Sequence, residues 1–345
     1  MTAPAATFAP VSFAELPGWA GDNHLAAFEA YCETAEEVPR SSVRSAEAAR
    51  AFFEARFEPA RVVHPGTRGA GTRGAGPAGL LTGYYEPVLD GSLERVPPFV
   101  VPVYCRPPDL ENVVAESQRA AQSEGYSHMR RTPQGLEPYA TRETIECGAL
   151  AGQGLELLYL ADRIEAFFLH VQGSGAIRLR DGRLQRITYD GKNGHPYTSI
   201  GRTLIEDGSL PAATLTLQVL GDWLRADPER GRKVLWRNAS FVFFRLLQGD
   251  AAIGVMGKPL TAGRSLAVDP DYHALGGPIY VSAPSLTHAG GGGLHRLMIA
   301  QDVGSAIKGP ERGDIYFGTG DAALGMAGIT KHPGTFFVLR PRGAP

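Results

Sequence analysis

Three carboxylates lie in the stretch AQDVGSAIKGPERGDIYFGTG, Ala300 to Gly320: Asp302, Glu311 and Asp314. Cleaving a glycosidic bond takes an acid that protonates the leaving oxygen. It usually takes a second group as well, roughly 5 to 10 Å away, that supports the developing cation or activates a nucleophile. Asp302 ends one β-like run and Asp314 opens another, so both can project from strands into one groove. The acid of such a pair needs its pKa raised by apolar neighbours. Ile315, Tyr316 and Phe317 follow Asp314 directly and can supply them. Glu311, beside Pro310 in a polar turn, reads as a surface residue. Gly-Asp is equally the composition of a strand-capping turn, so residue types alone leave that alternative open for Gly313-Asp314.

Other constellations are weaker. Ala300-Gln301-Asp302-Val303-Gly304-Ser305 is near the motif of aspartic proteases, whose two carboxylates share a proton. Valine, however, stands where that motif has a hydroxyl residue, and no second copy appears. Ser174, in Gly173-Ser174-Gly175, resembles a nucleophile elbow without its full pattern and reads as a flexible turn. The nine histidines show no metal-ligand pairing, so no metal and no cofactor is expected. The run from Tyr189 to Tyr197, YDGKNGHPY, is dense in aromatic and hydrogen-bonding groups and suits either a carbohydrate cleft or a plain loop.

The elements that must position these residues are short. A chain of 345 residues has room for two domains. A formal charge of -2 gives no polycationic face, which argues against a nucleic-acid partner and suits a neutral substrate. The three cysteines are an odd number, far apart, and read as free apolar residues. No apolar run is long enough to span a bilayer, and the start, MTAPAATFAPVSFAELPGW, shows no signal peptide.

Apolar spacing predicts helices over His24 to Glu37 and Ser45 to Phe57. The tandem GTRGAGTRGAG, Gly66 to Gly76, reads as a surface loop. LLTGYYEPVLDG reads as an entering strand, and the proline-rich Pro97 to Pro108 as a passage between domains. Helices are expected over Glu111 to Glu124, Thr141 to Ala149 and Pro211 to Ala226, the last opened by its proline. A short apolar run and a helix are expected within Leu155 to Phe168, and a hairpin turning at Asp181-Gly182. The last hundred residues, with FVFFRL, SLAVD, PIYVSA, HRLMIAQD, GDIYFG and FFVLR, read as the strands of a compact barrel. The class is therefore mainly β with flanking helices.

From Leu81 to Leu339 the chain resembles the membrane-bound lytic murein transglycosylase A family. The segments that carry the resemblance are TGYYEPV from Thr82, HVQGSG from His170, YDGKNGH from Tyr189, SIG from Ser199, NASFVFF from Asn238, DVGSAIKG from Asp302 and GDIY from Gly313. The resemblance implies a double-psi β-barrel domain with a smaller inserted β-rich domain and a groove between them. The division expected here is residues 1–98 and 237–345 for the barrel with its helices, and 99–236 for the insert. It implies cleavage of the β-1,4 bond between N-acetylmuramic acid and N-acetylglucosamine in peptidoglycan, leaving a 1,6-anhydro sugar without the use of water. Asp314 maps onto the family's catalytic acid and Asp302 onto a supporting carboxylate. Tyr84, Gln172, Ser174, Lys192 and Asn193 map onto groove residues, and Tyr197, from the same aromatic run, is counted with them. The implied partners are glycan strands and other cell-wall enzymes, and the resemblance implies a monomeric protein in the periplasm, associated with the outer membrane. Nothing in this chain matches the acylated cysteine of the family's lipoprotein members. A wall-binding protein without catalysis on the same fold is the alternative.

Overall fold

The computed structural model describes residues 7–63, 79–113, 126–289, 291–304 and 306–343. The Gly66 to Gly76 repeat and most of the helix expected after Glu111 lie outside them. In chain order the strands are β1 (Thr7–Pro10), β2 (Phe57–Val63), β3 (Gly79–Glu86), β4 (Val88–Ser92), β5 (Val101–Tyr104), β6 (Leu110–Asn112), β7 (His128–Thr132), β8 (Gly135–Glu137), β9 (Glu156–Leu160), β10 (Ser174–Leu179), β11 (Leu184–Lys192), β12 (Val242–Leu247), β13 (Ser265–Val268), β14 (Pro278–Ala283), β15 (Leu294–Val303), β16 (Arg312–Thr319) and β17 (Lys331–Pro341). They divide between two compact units. The first comprises Met1–Tyr85, Ile253–Gly318 and Ala322–Pro345, the second Glu86–Ala252 and Thr319–Asp321.

In the first unit six strands close into a barrel in the order β3, β17, β14, β15, β13, β16, with β16 meeting β3 again. β13 runs parallel to β15 and antiparallel to β16, so it is the strand that unites them. Glycines let large side chains meet inside. A Cβ at Gly313 would lie 2.9 Å from Phe336 and 3.0 Å from Leu266, and one at Gly334 would lie 2.7 Å from Leu81. These contacts set the inward parity: Leu81, Leu266, Ile315 and Phe336 point in, so Thr82, Tyr84, Ala267, Arg312 and Asp314 point out.

Elsewhere on the outer wall the barrel is covered by two helices, His24–Cys32 and Ala46–Arg56, capped by the side chains of Asn23 and Ser45. Phe28 and Phe53 of these helices pack with Tyr280, Leu297, Phe337 and Leu339 of the wall. A buried ion pair fixes the approach to the first helix: Asp22 takes both guanidinium arms of Arg264, at 2.8 and 2.9 Å, and the Leu297 N–H at 2.7 Å.

The second unit holds a six-stranded sheet in the order β12, β11, β10, β4, β9, β5. A bridge between Cys105, just past β5, and Phe244 on β12 ties its two ends together. Val103, Leu158, Leu160, Ile177, Ile187 and Phe244 fill its core with Leu169 of the helix Arg163–Gln172. The hairpin turns at Asp181-Gly182 as its sequence predicts, with Gly182 at φ +85°. Three further helices, Ile200–Glu206, Leu217–Ala226 and Pro228–Trp236, build a separate apolar cluster.

Several expectations change. The passage around Pro97 to Pro108 contains β5, an integral strand of the second unit's sheet. Leu110–Asn112, at the expected start of a helix, is a strand paired with β7. The helix after Pro211 begins only at Leu217, because the Thr216 hydroxyl accepts the Val219 N–H and sets the cap there. Thr141 to Ala149 is a single helical turn running into a wider π-type turn. The short helix Asp321–Ala327, between the last two strands, is not foreshadowed by any periodic pattern. Among the described residues no helix is long and apolar enough to cross a membrane.

Candidate active site

Asp302 and Asp314 are brought together by β13. Ala267 pairs with Asp314 on one side and with Asp302 on the other. The three residues form one row across three strands, which puts the two aspartate Cα atoms about 10 Å apart, two strand spacings. A register shift after Leu266 skips Gln301 and brings Asp302 rather than its neighbour into that row. Gln301 points elsewhere, buried against the Ser265 hydroxyl and the Ala30 carbonyl. Only the methyl group of Ala267 stands between the two aspartates in that row. Gly313-Asp314 thus lies inside a strand and caps no turn.

The two carboxyls differ in how their oxygens are used. Asp302 Oδ1 accepts the N–H groups of Val255, at 3.2 Å, and Val303, at 3.0 Å, and Oδ2 accepts the Tyr84 hydroxyl at 2.8 Å. Asp314 Oδ1 accepts the Thr82 hydroxyl at 2.5 Å. Its Oδ2 has no hydrogen-bond partner among the described residues. Tyr84 leans on Tyr316, ring centroids 5.3 Å apart, which completes an aromatic wall beside the row.

Burial dominates the electrostatics. It pushes the Asp302 carboxyl up to about 6, against the bonds from Tyr84, Val303 and Val255, and the charge of Asp314 adds to the rise. Burial also raises Asp314, opposed by the Thr82 hydroxyl and then by the Arg312 charge. The Tyr84 phenol is held well above its ordinary range by burial and by the charge of Asp302, so it stays a donor. A carboxyl kept protonated nearer neutrality, with one oxygen open, can hand a proton to a basic leaving group. A proton-sharing aspartate pair does not form, since each carboxyl bonds to a different hydroxyl and neither to the other.

The remaining expected site residues lie in the second unit. Gln172 ends the helix Arg163–Gln172 and Ser174 starts β10, both half-buried on either side of Gly173. Lys192 ends β11, also half-buried, and Tyr197 follows in the next turn, 38% exposed. Asn193 is a correction. It is fully buried, its amide donates to the carbonyls of Ala140 and Ala239, both at 2.8 Å, and its oxygen accepts the Phe241 N–H at 2.8 Å. Every polar atom of that side chain is spent on backbone, so it holds the fold and has nothing left for a ligand.

The nearby signature residues serve the same purpose. Asn238 accepts the N–H groups of Thr198 and Ser240. His170 accepts a bond from the buried Arg142, and burial with that charge drives its pKa well below the usual value. Glu311 is half-buried and not a plain surface residue; its carboxylate takes the Phe336 N–H at 3.1 Å. Thr82 and Arg312 were missed, although the signal was available: each lies two residues from a chosen site residue, Tyr84 or Asp314, and so on the same strand face.

Comparison with known proteins places the chain. Residues 80–245 match the family described as the MltA specific insert domain, and residues 264–340 match the 3D domain. The chain is 34% identical over 271 residues to the membrane-bound lytic murein transglycosylase A of Vibrio cholerae, covering 77% of this chain and 66% of that protein. Its match to the Escherichia coli K12 protein of the same name is also 34%, over 75% of this chain and 65% of the relative. The matched stretch is thus just under two thirds of these relatives' length. A crystal structure of a membrane-bound lytic murein transglycosylase from Agrobacterium tumefaciens superposes with a TM-score of 0.83 at 33% identity, covering 97% of this chain and 98% of that one. The chain belongs to the lytic murein transglycosylase A family. Another member, the Escherichia coli MltA structure with bound chitohexaose, matches with a TM-score of 0.71 at 27% identity, over 100% of this chain and 94% of that one. Asp302 and Asp314 both lie within the stretch that matches the 3D domain, and Tyr84, Gln172, Ser174, Lys192, Asn193 and Tyr197 within the insert-domain match.

Proposed function

We propose that the chain is a peptidoglycan lytic transglycosylase that cleaves the β-1,4 bond between N-acetylmuramic acid and N-acetylglucosamine and closes a 1,6-anhydro ring. The observation that carries this reading is the Asp302–Ala267–Asp314 row, in which only Asp314 has a carboxyl oxygen without a hydrogen-bond partner among the described residues. Protonated Asp314 gives its proton to the glycosidic oxygen as the bond from C1 to that oxygen breaks. The resulting carboxylate then takes the proton of the C6 hydroxyl as its oxygen closes onto C1. The proton account balances and no water enters. Asp302, oriented by Tyr84 and two N–H groups, supplies negative charge beside the oxocarbenium-like state.

Gln172, Ser174, Lys192 and Tyr197 are the proposed sugar-contacting side chains of the second unit, and Asn193 supports them from beneath. The chitohexaose held by the Escherichia coli relative is a β-1,4 glycan, in keeping with a glycan-strand substrate. The names of the relatives, membrane-bound murein transglycosylases, fit action in the cell envelope, and outer-membrane association is the finer form of that proposal.

The test is mass spectrometry of purified sacculi digested by the wild-type protein and by Asp314→Asn. Wild type should release muropeptides lighter by one water than hydrolysis products. The variant should release none while keeping its circular dichroism. Undiminished anhydro product from the variant would remove Asp314 from the mechanism. Sacculus binding by wild type without any product would favour the non-catalytic alternative.

A further inference from the structure

Arg312 lies two residues before Asp314 on the same outward face of β16, half-buried. Its Nη2 donates to the Thr82 hydroxyl oxygen at 2.8 Å, while Nη1 donates to the carbonyls of Gly313, at 2.5 Å, and Leu80, at 3.3 Å. A guanidinium has only donors, and a threonine hydroxyl has a single hydrogen. With Arg312 in place, the Thr82 oxygen must accept there, and its hydrogen is left for Asp314 Oδ1, 2.5 Å away. A carboxyl accepts better through its unprotonated oxygen, so this bond to Oδ1 favours a proton of the Asp314 carboxyl on Oδ2. That is the oxygen with no partner among the described residues.

We propose that Arg312 is a positioning residue, acting through Thr82 to keep the exchangeable proton of Asp314 on the oxygen that faces substrate. Without Arg312 the Thr82 hydroxyl is free to turn and accept from a protonated Oδ1. That state parks the proton away from the glycosidic oxygen. The inference rests on the reading of Asp314 as the acid. It adds a reason why the acid presents one defined oxygen for both halves of the reaction: Oδ2 loses its proton to the leaving oxygen and regains one from the C6 hydroxyl.

Among the described residues the groups that act on Asp314 are few. Arg312 and Tyr316 stand on its own strand, Thr82 and Tyr84 on β3, and Asp302 on β15 beyond Ala267. Lys331, paired with Thr82 on β17, is exposed. Of these only Arg312 brings a close, half-buried positive charge.

The test uses the full chain with Arg312→Met, which keeps an apolar stem, Arg312→Lys, which restores a charged donor, and Thr82→Val, which removes the hydroxyl. The Asp314 carboxyl is titrated by carbon-13 NMR, and the pH profile of anhydro-product release is recorded alongside. Arg312→Met should raise the Asp314 midpoint by about 1 on the pH scale, the low end for losing a nearby opposite charge, and Thr82→Val should raise it as well by removing the hydrogen bond that favours the carboxylate. The alkaline limb of activity should rise with it, kcat should fall with KM unchanged, and Arg312→Lys should recover most of both. If Arg312→Met fails to fold, Thr82→Val reads the same relay. An unmoved midpoint in a folded variant overturns the proposal. Because the titration needs no turnover, a wild-type protein without anhydro product would instead overturn the transglycosylase reading.

Discussion

Replacing Asp302 by asparagine should free the first unit from a loss of stability that sets in as pH rises. Burial lifts the Asp302 carboxyl from 3.8 to about 6. A tenfold change in proton affinity is worth about 1.4 kcal/mol, and a pKa raised by roughly two therefore corresponds to about 3 kcal/mol. The direction follows from the raised folded-state value. Below about pH 4 the carboxyl is protonated in both states and imposes no penalty. As pH climbs, the unfolded chain releases its proton first, stability falls, and the full loss is in place once pH passes the folded value of about 6. Asparagine does not titrate, so its own packing and hydrogen-bond effects cancel when variant and wild type are compared at two pH values. Urea unfolding, followed by the fluorescence of Trp19, which is buried in the first unit, measures the difference directly. The stability of Asp302→Asn relative to wild type should improve by about 3 kcal/mol between about pH 4 and pH 7.5. A difference that does not change with pH would refute the buried-carboxylate account of Asp302. The same variant should lose activity, a trade of function for stability common at active sites.

Asn193→Ala should destabilise the second unit by about 3 kcal/mol, one for each buried backbone bond lost, and most of the lost activity should return on cooling. Urea melts followed by Trp223 and Trp236 would show it, and an unchanged midpoint would restore Asn193 as a substrate contact. Tyr84→Phe removes the hydroxyl that favours the charged form of Asp302, so the Asp302 midpoint should move above about 6 in an NMR titration. A midpoint that stays put or falls would mean that the Tyr84 bond is not made in solution.

Much of the scaffold is legible in the sequence because it is locally encoded. Short β-forming runs bounded by Gly, Pro and Asp mark the barrel strands, Asn23, Ser45 and Asp162 cap helices through their own side chains, and Asp181-Gly182 sets a tight hairpin. The site is different, because its decisive relation is a pairing of distant strands. That Ala267 has Asp302 on one side and Asp314 on the other depends on β13 inserting between β15 and β16, which no local pattern reports. Burial is also invisible to residue type. Asn193 and Lys192 look equally suited to hydrogen-bond a sugar, yet the first is wholly spent on backbone. No sequence pattern marks Arg142, although it is buried and binds the carbonyls of Asn238 and Ser240.

The choice of Asp314 over Asp302 as acid cannot rest on proton affinity alone, since both carboxyls are raised and each responds to the charge of its neighbour. For interacting sites of this kind the apparent values belong to the pair. Access separates them. A proton on Asp302 would sit on an oxygen already engaged by the Tyr84 hydroxyl or by two N–H groups, and would weaken those bonds. Among the described residues nothing bonds to Asp314 Oδ2, while Thr82 holds the other oxygen. Three donors converging on Asp302 suit a group that stays anionic through the reaction, whereas one donor on Asp314 leaves room for a proton to leave and return. On the proposed reading, a sugar over Ala267 would remove water from Oδ2 of Asp314 and raise its proton affinity further, with the donors to Asp302 unchanged.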